Sequence, residues 1–309
     1  MTKQYTRRLM MVRPASFSFN AETALSNAFQ QSIGGYTAAE IQQKAEAEFD
    51  SFVAILRSNG VEVLVVQDTA TPSKPDAVFP NNWISMQADG TIYLYPMCTP
   101  NRRLERREDI IDLLEEKFAV KKVVDLSAAE ASGLFLEGTG SIIFDHPNRK
   151  AYACISPRTD RGLLEAHCAQ LQYDAIAFDS TDRHGKAVYH TNVMLTIGDQ
   201  FAVICLESIR NEQEKQMVVD SLTATGLEIV AISEAQMNCF AGNMLQVENA
   251  EGKTFLVMSQ SAFDSLTSEQ RTQLEQYTTL LPVAIPTIET IGGGSARCML
   301  AEIFLPERQ

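Results

Sequence analysis

The feature that most constrains the fold of this chain is a repeat of an apolar hairpin, a helical segment and one further strand. Four hairpins, each a pair of β-rich runs joined by turn residues, are predicted at 82–97, 140–156, 192–208 and 243–259. A fifth opening run, 298–305, has no second arm after it, and the N-terminal segment 7–14 can supply that arm. The two ends of the chain are therefore predicted to share one sheet, which closes the repeats into a ring.

Each hairpin is followed by a segment of helical periodicity and then by a single strand. The helices are predicted at 38–59, 104–118, 160–171, 211–224 and 268–280. The strands that follow them are predicted at 61–66, 121–126, 174–179, 228–232 and 282–286. A doubly wound sheet would need single strands alternating with helices, which these adjacent hairpins do not provide. The sequence therefore predicts an α/β fold of five ββαβ modules arranged in one ring.

Composition narrows the classes of partner. The 309 residues carry a formal net charge of −13, which argues against a nucleic-acid backbone or an anionic membrane surface as the main partner. No stretch approaches the length of a membrane span, and the apolar run 9–12 is too short for a signal sequence. The six cysteines form no CxxC pair, and the four histidines do not have the spacing of metal ligands. We therefore expect a cytoplasmic protein with reduced thiols and no bound metal; the oligomeric state is left open, a homodimer included.

Reactive side chains fall where the repeats open. Equivalent strand ends in a ring of modules meet near its axis. The openings hold Asn82, the turn 137–140, the run 190–192, Asn243 and Cys298. A thiol, an imidazole and a carboxylate are therefore expected in one central pocket, and this combination is used in covalent nucleophilic catalysis.

Each of these residues also has a structural interpretation. A lone cysteine such as Cys298 is more often a buried core residue than a nucleophile. For His190 and Glu137 the alternatives are a histidine satisfied by backbone groups and a solvated turn glutamate. The glycine run before Cys298 opens a strand rather than a helix, so it is not a phosphate-binding loop. Cys239 is a rival nucleophile, but it lies a few residues before the opening of its module.

The remaining cysteines and histidines are assigned no chemistry. Cys98, Cys154, Cys168 and Cys205 lie in apolar strands or on a helical stripe, which predicts core positions. Of the other histidines, His146, His167 and His184 lie away from the repeat openings, and we expect them to be exposed.

Six short motifs make the sequence recognisable. In chain order they are PDAVFPNNW (75–83), NRR (101–103), LEGTGS (136–141), SPRTDRG (156–162), YHTN (189–192) and GGGSARCM (292–299). Together they resemble the pentein superfamily of guanidine-modifying enzymes, which includes arginine deiminase, dimethylargininase and the amidinotransferases. The resemblance covers essentially the whole chain and looks closest to the citrulline-hydrolase branch. It implies a five-bladed α/β propeller around a pseudo-fivefold axis, one catalytic domain over residues 1–309, and no cofactor.

The resemblance also implies roles for single residues. Cys298 is the expected nucleophile, His190 the acid and base, and Glu137 the carboxylate that orients the histidine. Asp76 is expected to hold the guanidino or ureido end of the substrate or its amine. The substrate-binding residues lie in the same motifs or at the module openings: Asp76, Phe79, Asn81, Asn82, Arg102, Arg158, Asn192, Asn243 and Arg297. Among them Arg158 and Arg102 are expected at the α-carboxylate of the substrate, with Arg297 as a further candidate. The segment 15–36 is also expected to help line the pocket.

Two departures from the family pattern bear on the substrate. Relatives that act on a cationic guanidinium carry an acidic residue in place of Asn82, and deiminase-type relatives carry an aspartate in place of Asn192. A guanidinium is a fixed cation that carboxylates hold best. A ureido group is neutral and presents a carbonyl, and an asparagine amide can match both of its faces. The two asparagines therefore favour a ureido substrate, with citrulline as the natural candidate.

We therefore expect a cysteine-dependent hydrolase that takes a small amino acid, converting citrulline to ornithine, carbon dioxide and ammonia through a covalent thioester intermediate. Within enzymes, the alternatives are hydrolysis of arginine or a substituted arginine, as in a deiminase or dimethylargininase, and transfer of an amidino group to a second amine. Outside enzymes, the alternative is a non-catalytic propeller that serves as a binding platform. The joint presence of thiol, imidazole, carboxylate and arginines weighs against a pure scaffold.

Overall fold

The computed structural model describes residues 3–32 and 34–308, which form five three-stranded sheets. The predicted domain 1–309 also includes residues 1, 2, 33 and 309, which lie outside the described residues. The strands in chain order are β1 (Arg8–Arg13), β2 (Glu62–Gln67), β3 (Ile84–Met86), β4 (Thr91–Leu94), β5 (Lys122–Asp125), β6 (Ile143–Asp145), β7 (Lys150–Ile155), β8 (Asp174–Asp179), β9 (Leu195–Ile197), β10 (Phe201–Ile204), β11 (Glu228–Ala231), β12 (Leu245–Glu248), β13 (Thr254–Ser259), β14 (Thr279–Val283) and β15 (Ala301–Glu302).

The helices lie between the strands of each sheet or in the loops around the ring. They are α1 (Ala21–Ala24), α2 (Ala38–Ser58), α3 (Pro100–Arg103), α4 (Glu108–Lys117), α5 (Gly138–Ser141), α6 (Arg161–Leu171), α7 (Glu212–Ala224), α8 (Glu234–Asn238), α9 (Gln260–Ser265) and α10 (Ser268–Glu275). None of these helices in the described part of the chain is long and apolar enough to cross a membrane.

Every sheet repeats one topology. An antiparallel hairpin is followed by a helical crossover and a parallel third strand, as in the order β3-β4-β5 with α4 between the last two. The fifth sheet joins the chain ends in the order β15-β1-β2, with Leu9 opposite Glu302 and Met10 opposite Ala301. The predicted α/β fold of five modules, with one module shared by the two ends, is confirmed.

Local sequence explains the longest helix. Thr37 and Glu40 form a reciprocal capping box at the start of α2, which satisfies backbone donors that a helix start otherwise leaves unpaired. Its buried side chains recur at helical spacing along one face: Ala45, Phe49, Phe52, Val53 and Leu56. Full burial of a side chain such as Phe49 contributes about 1.5–3 kcal/mol, so packing on the sheet stabilises α2 more than its cap does.

The innermost strands place the turns that carry the candidate site. Strands β3, β6 and β9 are buried throughout and are only three residues long. β3 contacts β15, and β9 contacts both β6 and β12, so the first strands of neighbouring modules meet around the axis. The residues just before these strands therefore converge on one end of the axis.

The last strand and helix differ from the sequence prediction. Helix α10 ends at Glu275, and β14 spans 279–283 rather than 282–286. The prediction began the strand at Pro282, but this proline lies within the strand, opposite Met258. A proline is tolerated there because β14 is the edge strand of its sheet and need not donate to a further neighbour.

Two histidines that were expected to be exposed lie in the core. His146 is 7% exposed, stacks on Phe144 and shares a hydrogen bond with the hydroxyl of Tyr173 at 2.8 Å. His167 is 3% exposed and shares a hydrogen bond with the hydroxyl of Tyr95 at 3.0 Å. The expectation was wrong because an aromatic cage with one polar partner buries a neutral imidazole at little cost.

These two histidines should make stability depend on pH. Burial lowers the pKa of His146 and of His167 to about 4 from an ordinary value of 6.5, and Arg297 adds to the effect at His146. Between pH 6.5 and 4 the unfolded chain binds more protons than the folded one. The contribution of the neutral, buried histidines to folding stability is therefore complete above pH 6.5 and is lost as the pH falls towards 4. Together these two histidines should contribute about 3 kcal/mol per pH unit to the loss. Urea unfolding between pH 7 and 5 measures this contribution together with that of other buried groups such as His190, whose pKa is also lowered to about 4.

Single substitutions isolate the contribution of one histidine to the pH dependence of the free energy of unfolding. His146→Phe should reduce the pH slope by about one proton, or ~1.4 kcal/mol per pH unit. His184→Gln, at an exposed histidine, is the matched control substitution. A slope that is the same in His146→Phe and in the wild type would contradict the assignment.

Candidate active site

The candidate nucleophile lies in a tight turn at the axis. Cys298 is 2% exposed and belongs to the 3₁₀ turn 296–299 that leads into β15. Its sulfur accepts hydrogen bonds from the side-chain amides of Asn192 and Asn243, each with Nδ2 at 3.3 Å from Sγ. A side chain at Gly294 would approach the Phe79 ring to 3.0 Å, so this glycine lets the loop before Cys298 pack against Phe79.

A histidine and a glutamate form a buried pair beside this turn. His190 Nε2 lies 2.8 Å from Glu137 Oε2, and Glu137 Oε1 accepts the backbone N–H of Cys98 at 2.9 Å. Because an ionised carboxylate only accepts hydrogen bonds, Nε2 must carry the proton. The other nitrogen, Nδ1, is therefore the basic one, and it makes no hydrogen bond within the described residues.

The charges around this pair set its protonation. Burial would raise the pKa of the Glu137 carboxyl, but Arg158, the hydrogen bond from His190 and Arg102 outweigh it and lower that pKa to about 2. Burial lowers the pKa of His190 to about 4 against the opposing effect of Glu137. At neutral pH the pair is thus a carboxylate and a neutral imidazole, which can take up a proton during a reaction.

A glycine makes room for the imidazole. A Cβ at Gly140, within α5, would lie 2.3 Å from Asn82 Nδ2 and 2.8 Å from His190 Nδ1. The absent side chain therefore lets residues from three modules meet.

A narrow cavity joins these groups. Its free volume is only about 10 Å³, so a substrate of amino-acid size requires the lining residues to move apart. The cavity is lined by Thr23, Asn27, Asp76, Phe79, Asn82, Arg102, Arg158, Tyr189, His190, Gly292, Gly293, Gly294 and Cys298. The structure thus brings the thiol and the imidazole into one cavity, with Glu137 directly behind His190.

Asp76 offers one free carboxylate oxygen. Its Oδ2 accepts hydrogen bonds from Asn20 Nδ2 at 2.7 Å and Thr23 Oγ1 at 3.1 Å. Its Oδ1 is buried and has no hydrogen-bond partner among the described residues. Burial raises the pKa of Asp76, and Arg102 opposes this.

Most donors of Arg102 are committed within the protein. The guanidinium forms a bidentate pair with Glu105 at 2.8 and 2.9 Å and donates to the Phe79 carbonyl at 3.1 Å. It also donates to Asn82 Oδ1 at 2.7 Å. Because a guanidinium has only donors, this contact fixes the orientation of the Asn82 amide. Asn82 Nδ2 is left buried without a partner among the described residues, beside the cavity.

Arg158 has a donor directed towards the pair. Its Nε and Nη2 bind Ser26 Oγ at 3.0 and 2.7 Å, and Nη2 also donates to the Thr23 carbonyl at 3.0 Å. Its Nη1 lies 3.6 Å from Glu137 Oε2. Arg158 therefore remains the better-placed arginine for an anionic group of a substrate.

Four predicted binding residues do not line the cavity. Asn192 and Asn243 contact the sulfur of Cys298 instead, and Asn81 is buried with neither amide atom paired among the described residues. The expectation for Arg297 does not fit, because its guanidinium binds the Leu300 carbonyl and Glu302, both at 2.8 Å, beside a second cavity. Adjacent residues of the turn project to opposite sides, so Cys298 faces one cavity and Arg297 the other.

The segment 20–27 contributes to the site, within the stretch 15–36 that the sequence analysis expected to help line the pocket. Asn20, Thr23 and Ser26 hold Asp76 and Arg158, and Asn27 Nδ2 donates to the Gly293 carbonyl at 3.0 Å. The sequence assigned no role to any one of these residues, because the segment lies outside the repeat pattern and inside none of the six motifs. Cys239, the rival nucleophile, is exposed and does not line the cavity.

The chain matches one protein family along most of its length. The family model of N,N dimethylarginine dimethylhydrolase, eukaryotic, matches residues 13–305. Comparison with curated protein sequences gives no match.

Several solved structures share the fold. The substrate-bound N-terminal domain of ArgZ, an arginine dihydrolase from the ornithine–ammonia cycle in cyanobacteria, is 15% identical, with 97% of this chain and 98% of that one covered and a TM-score of 0.74. Unliganded AgrE is 16% identical, with 98% and 40% covered and a TM-score of 0.75. A dimethylarginine dimethylaminohydrolase with an S-methyl-L-thiocitrulline adduct is 15% identical, with 98% and 100% covered and a TM-score of 0.64. At these identities the likeness shows the fold.

The packing at Gly140 gives a direct test of the site geometry. Gly140→Ala should displace Asn82 or His190 and lower the free energy of unfolding by about 1–3 kcal/mol. Gly34→Ala is the control because its Cβ would meet no atom of the described residues within 4 Å, and it should change stability by no more than about 0.5 kcal/mol. Denaturant unfolding and a crystal structure measure both effects. Equal stability of the two variants, with His190 unmoved, would contradict the close approach.

Proposed function

This chain belongs to the family of N,N dimethylarginine dimethylhydrolase, eukaryotic, within the pentein superfamily, and within this class of hydrolase we propose that it hydrolyses the ureido C–N bond of citrulline. The products would be ornithine, carbon dioxide and ammonia, and Cys298 would be the nucleophile. Support for the general class comes from the family and from a thiol, an imidazole and a carboxylate beside one cavity. Support for a ureido substrate comes from the chain's own polar groups.

The orientation of Asn82 carries the substrate assignment. Arg102 binds the amide oxygen and so fixes the orientation of the amide, and the unpaired group beside the cavity is the N–H donor pair of Nδ2. A ureido carbonyl would accept such a donor, whereas a guanidinium presents only donors of its own. Burying a donor against a donor leaves both unpaired, which is unfavourable by about 1–3 kcal/mol. In the sequence analysis, either the oxygen or the NH₂ group of the Asn82 amide could bind the substrate. With the amide held by Arg102, we propose that the NH₂ group does so.

The reactive end also lacks a free carboxylate. Both oxygens of Glu137 are occupied, by His190 and by the Cys98 amide. The groups that contact Cys298 Sγ are the neutral amides of Asn192 and Asn243. A neutral ureido carbon next to the thiol matches this uncharged environment better than a cation does.

The amino-acid end of the substrate has charged partners. We assign Arg158 Nη1, which is 3.6 Å from Glu137 Oε2 and makes no hydrogen bond among the described residues, to the α-carboxylate. The unpaired Asp76 Oδ1 is assigned to the α-ammonium. Asn20 and Thr23 hold the other oxygen of Asp76, so its free oxygen is fixed in direction. In this assignment Arg102 positions Asn82 rather than binding the substrate itself.

The chemistry follows from the proton positions. The Cys298 sulfur forms a bond to the ureido carbon while Nδ1 of His190 takes the thiol proton. The C–Nδ bond then breaks, His190 passes that proton to the departing nitrogen, and ornithine leaves a carbamoyl thioester. Water attacks the thioester with His190 as base, and the sulfur leaves as carbamate forms and decomposes to carbon dioxide and ammonia. Glu137 stabilises the imidazolium in both steps.

Hydrolysis of arginine or a substituted arginine is the second candidate, and the charge balance favours it. Three buried carboxylates, those of Asp76, Glu105 and Glu137, lie around two arginines, and a cationic substrate would balance them. The family model and the arginine dihydrolase fold neighbour agree with that candidate. However, burial raises the pKa of Asp76, and it raises that of Glu105 to about 7 against the opposing effect of Arg102. A proton on Glu105 removes the imbalance and leaves Asp76 as the carboxylate for an α-ammonium, so we place citrulline first.

Product analysis with citrulline and with arginine tests the reaction and its nucleophile. The wild type should release ornithine and ammonia from citrulline. Cys298→Ala should abolish turnover while calorimetry still detects citrulline binding, because the sulfur is needed for chemistry only. Cys239→Ala, at the exposed cysteine, should remain active. Citrulline formed from arginine, or turnover by Cys298→Ala, would overturn the proposal.

Asn82→Asp tests the substrate assignment separately. It keeps an acceptor for Arg102 but replaces the free donor by an oxygen, so kcat/KM for citrulline should fall by about a hundredfold or more. The preference for arginine over citrulline should rise. Asn211→Asp adds the same charge at an exposed helix cap. It should leave both kcat/KM for citrulline and the preference for arginine over citrulline unchanged. An Asn82→Asp enzyme that retains its citrulline kcat/KM would contradict the donor role.

A further inference from the structure

We infer that Asn192 and Asn243 are positioning residues that stabilise the thiolate of Cys298, so that two neutral amides hold its charge while His190 only transfers the proton. The inference rests on Cys298 being the nucleophile of the proposed hydrolysis. It assigns the two asparagines to the sulfur, whereas the sequence had assigned them to the substrate.

The orientation of the Asn243 amide is determined by its neighbours. Its Oδ1 accepts the backbone N–H of Arg297 at 3.0 Å, and a backbone N–H can only donate. Its NH₂ group therefore donates to the Asn192 carbonyl at 2.8 Å and to Cys298 Sγ at 3.3 Å. Asn243 Oδ1 lies farther from the sulfur, at 3.7 Å, where it can accept the proton of the neutral thiol but not stabilise the thiolate. The turn that carries Cys298 thus also fixes the donor directed at its sulfur.

Asn192 supplies a second donor from another module. Its Nδ2 lies 3.3 Å from Sγ, and its Oδ1 is buried without a partner among the described residues. Both asparagines are 0% exposed. In such a dry environment a hydrogen bond to an anion is stronger than in water, because little solvent screens it.

No cationic side chain makes a hydrogen bond to this sulfur among the described residues. Arg102 is paired with Glu105, and the guanidinium of Arg297 is paired with Glu302 beside the second cavity. His190 donates from Nε2 to Glu137 and is neutral at rest, since burial lowers its pKa to about 4. A neutral substrate would bring no cation either. The amides of Asn192 and Asn243 are therefore the groups placed to offset negative charge on sulfur.

The rate of alkylation by iodoacetamide reports the negative charge on the Cys298 sulfur in the absence of any substrate. The thiolate sulfur forms a bond to the methylene carbon, iodide leaves with the bonding pair, and the thiol proton passes to the buffer. Mass spectrometry of peptides gives the rate at Cys298, and the exposed Cys239 of the same molecule serves as an internal reference. Rates are recorded from pH 5 to 10 for the wild type, Asn243→Asp, Asn192→Asp and His190→Gln.

The variants separate charge stabilisation from a structural role. Asn243→Asp keeps an oxygen for the Arg297 amide but replaces the donor to sulfur by a negative oxygen. Its alkylation at Cys298 relative to Cys239 should fall by about tenfold or more, with the pH profile moved up by about one unit. Asn192→Asp should do the same. His190→Gln should keep the alkylation rate within about threefold while losing turnover, because proton transfer to buffer does not need the imidazole.

The inference fails if Asn243→Asp and Asn192→Asp react like the wild type, or if His190→Gln loses alkylation as they do. Thermal unfolding of each variant shows whether it is folded; if Asn243→Asp is unfolded, the alkylation rate of Asn192→Asp decides. These outcomes are distinct from failure of the proposed function. A protein that hydrolyses neither citrulline nor arginine would still show the amide effect on Cys298, whereas turnover by Cys298→Ala would remove the premise.

Discussion

The pairing of β1 with both β15 and β2 is the constraint on which the rest of the structure depends. It places Leu9 opposite Glu302 on one side and Val63 on the other, which joins the chain ends in one sheet. Because the turn that carries Cys298 leads directly into β15, this pairing also helps to fix that turn relative to the first module. Contacts between residues so distant in sequence form at a large entropic cost, so this closure links the integrity of the site to that of the whole ring.

Donor and acceptor chemistry organises the polar groups within the ring. Arg102 and the Arg297 backbone amide can only donate, so they orient the amides of Asn82 and Asn243 respectively. Glu137 can only accept, so it fixes the proton of His190 on Nε2. Each reactive group is thus given its direction by a neighbour that takes no part in bond making. In a buried site such orientation costs no reorganisation during the reaction.

The repeat pattern predicted most of the fold, and the module openings predicted the centre of the site. Cys298, His190 and Glu137 come together as expected because equivalent strand ends meet at the axis. The strand at Pro282 was misplaced because a proline looks like a boundary unless the strand is known to lie at an edge. His146 and His167 were taken for exposed residues because no local pattern reports an aromatic cage assembled from distant segments.

What the sequence by itself determined is the module count, the ring and the types of reactive residue, since hydrophobic periodicity and turn chemistry are local properties. Only the tertiary structure decided where each side chain points. It directed Arg297 away from the cavity beside Cys298, turned Asn192 and Asn243 towards the sulfur, and brought Asn20 and Thr23 onto Asp76. The physical reason is that a side chain's direction depends on its turn and on partners far away in the chain, and neither is encoded in the spacing of residues.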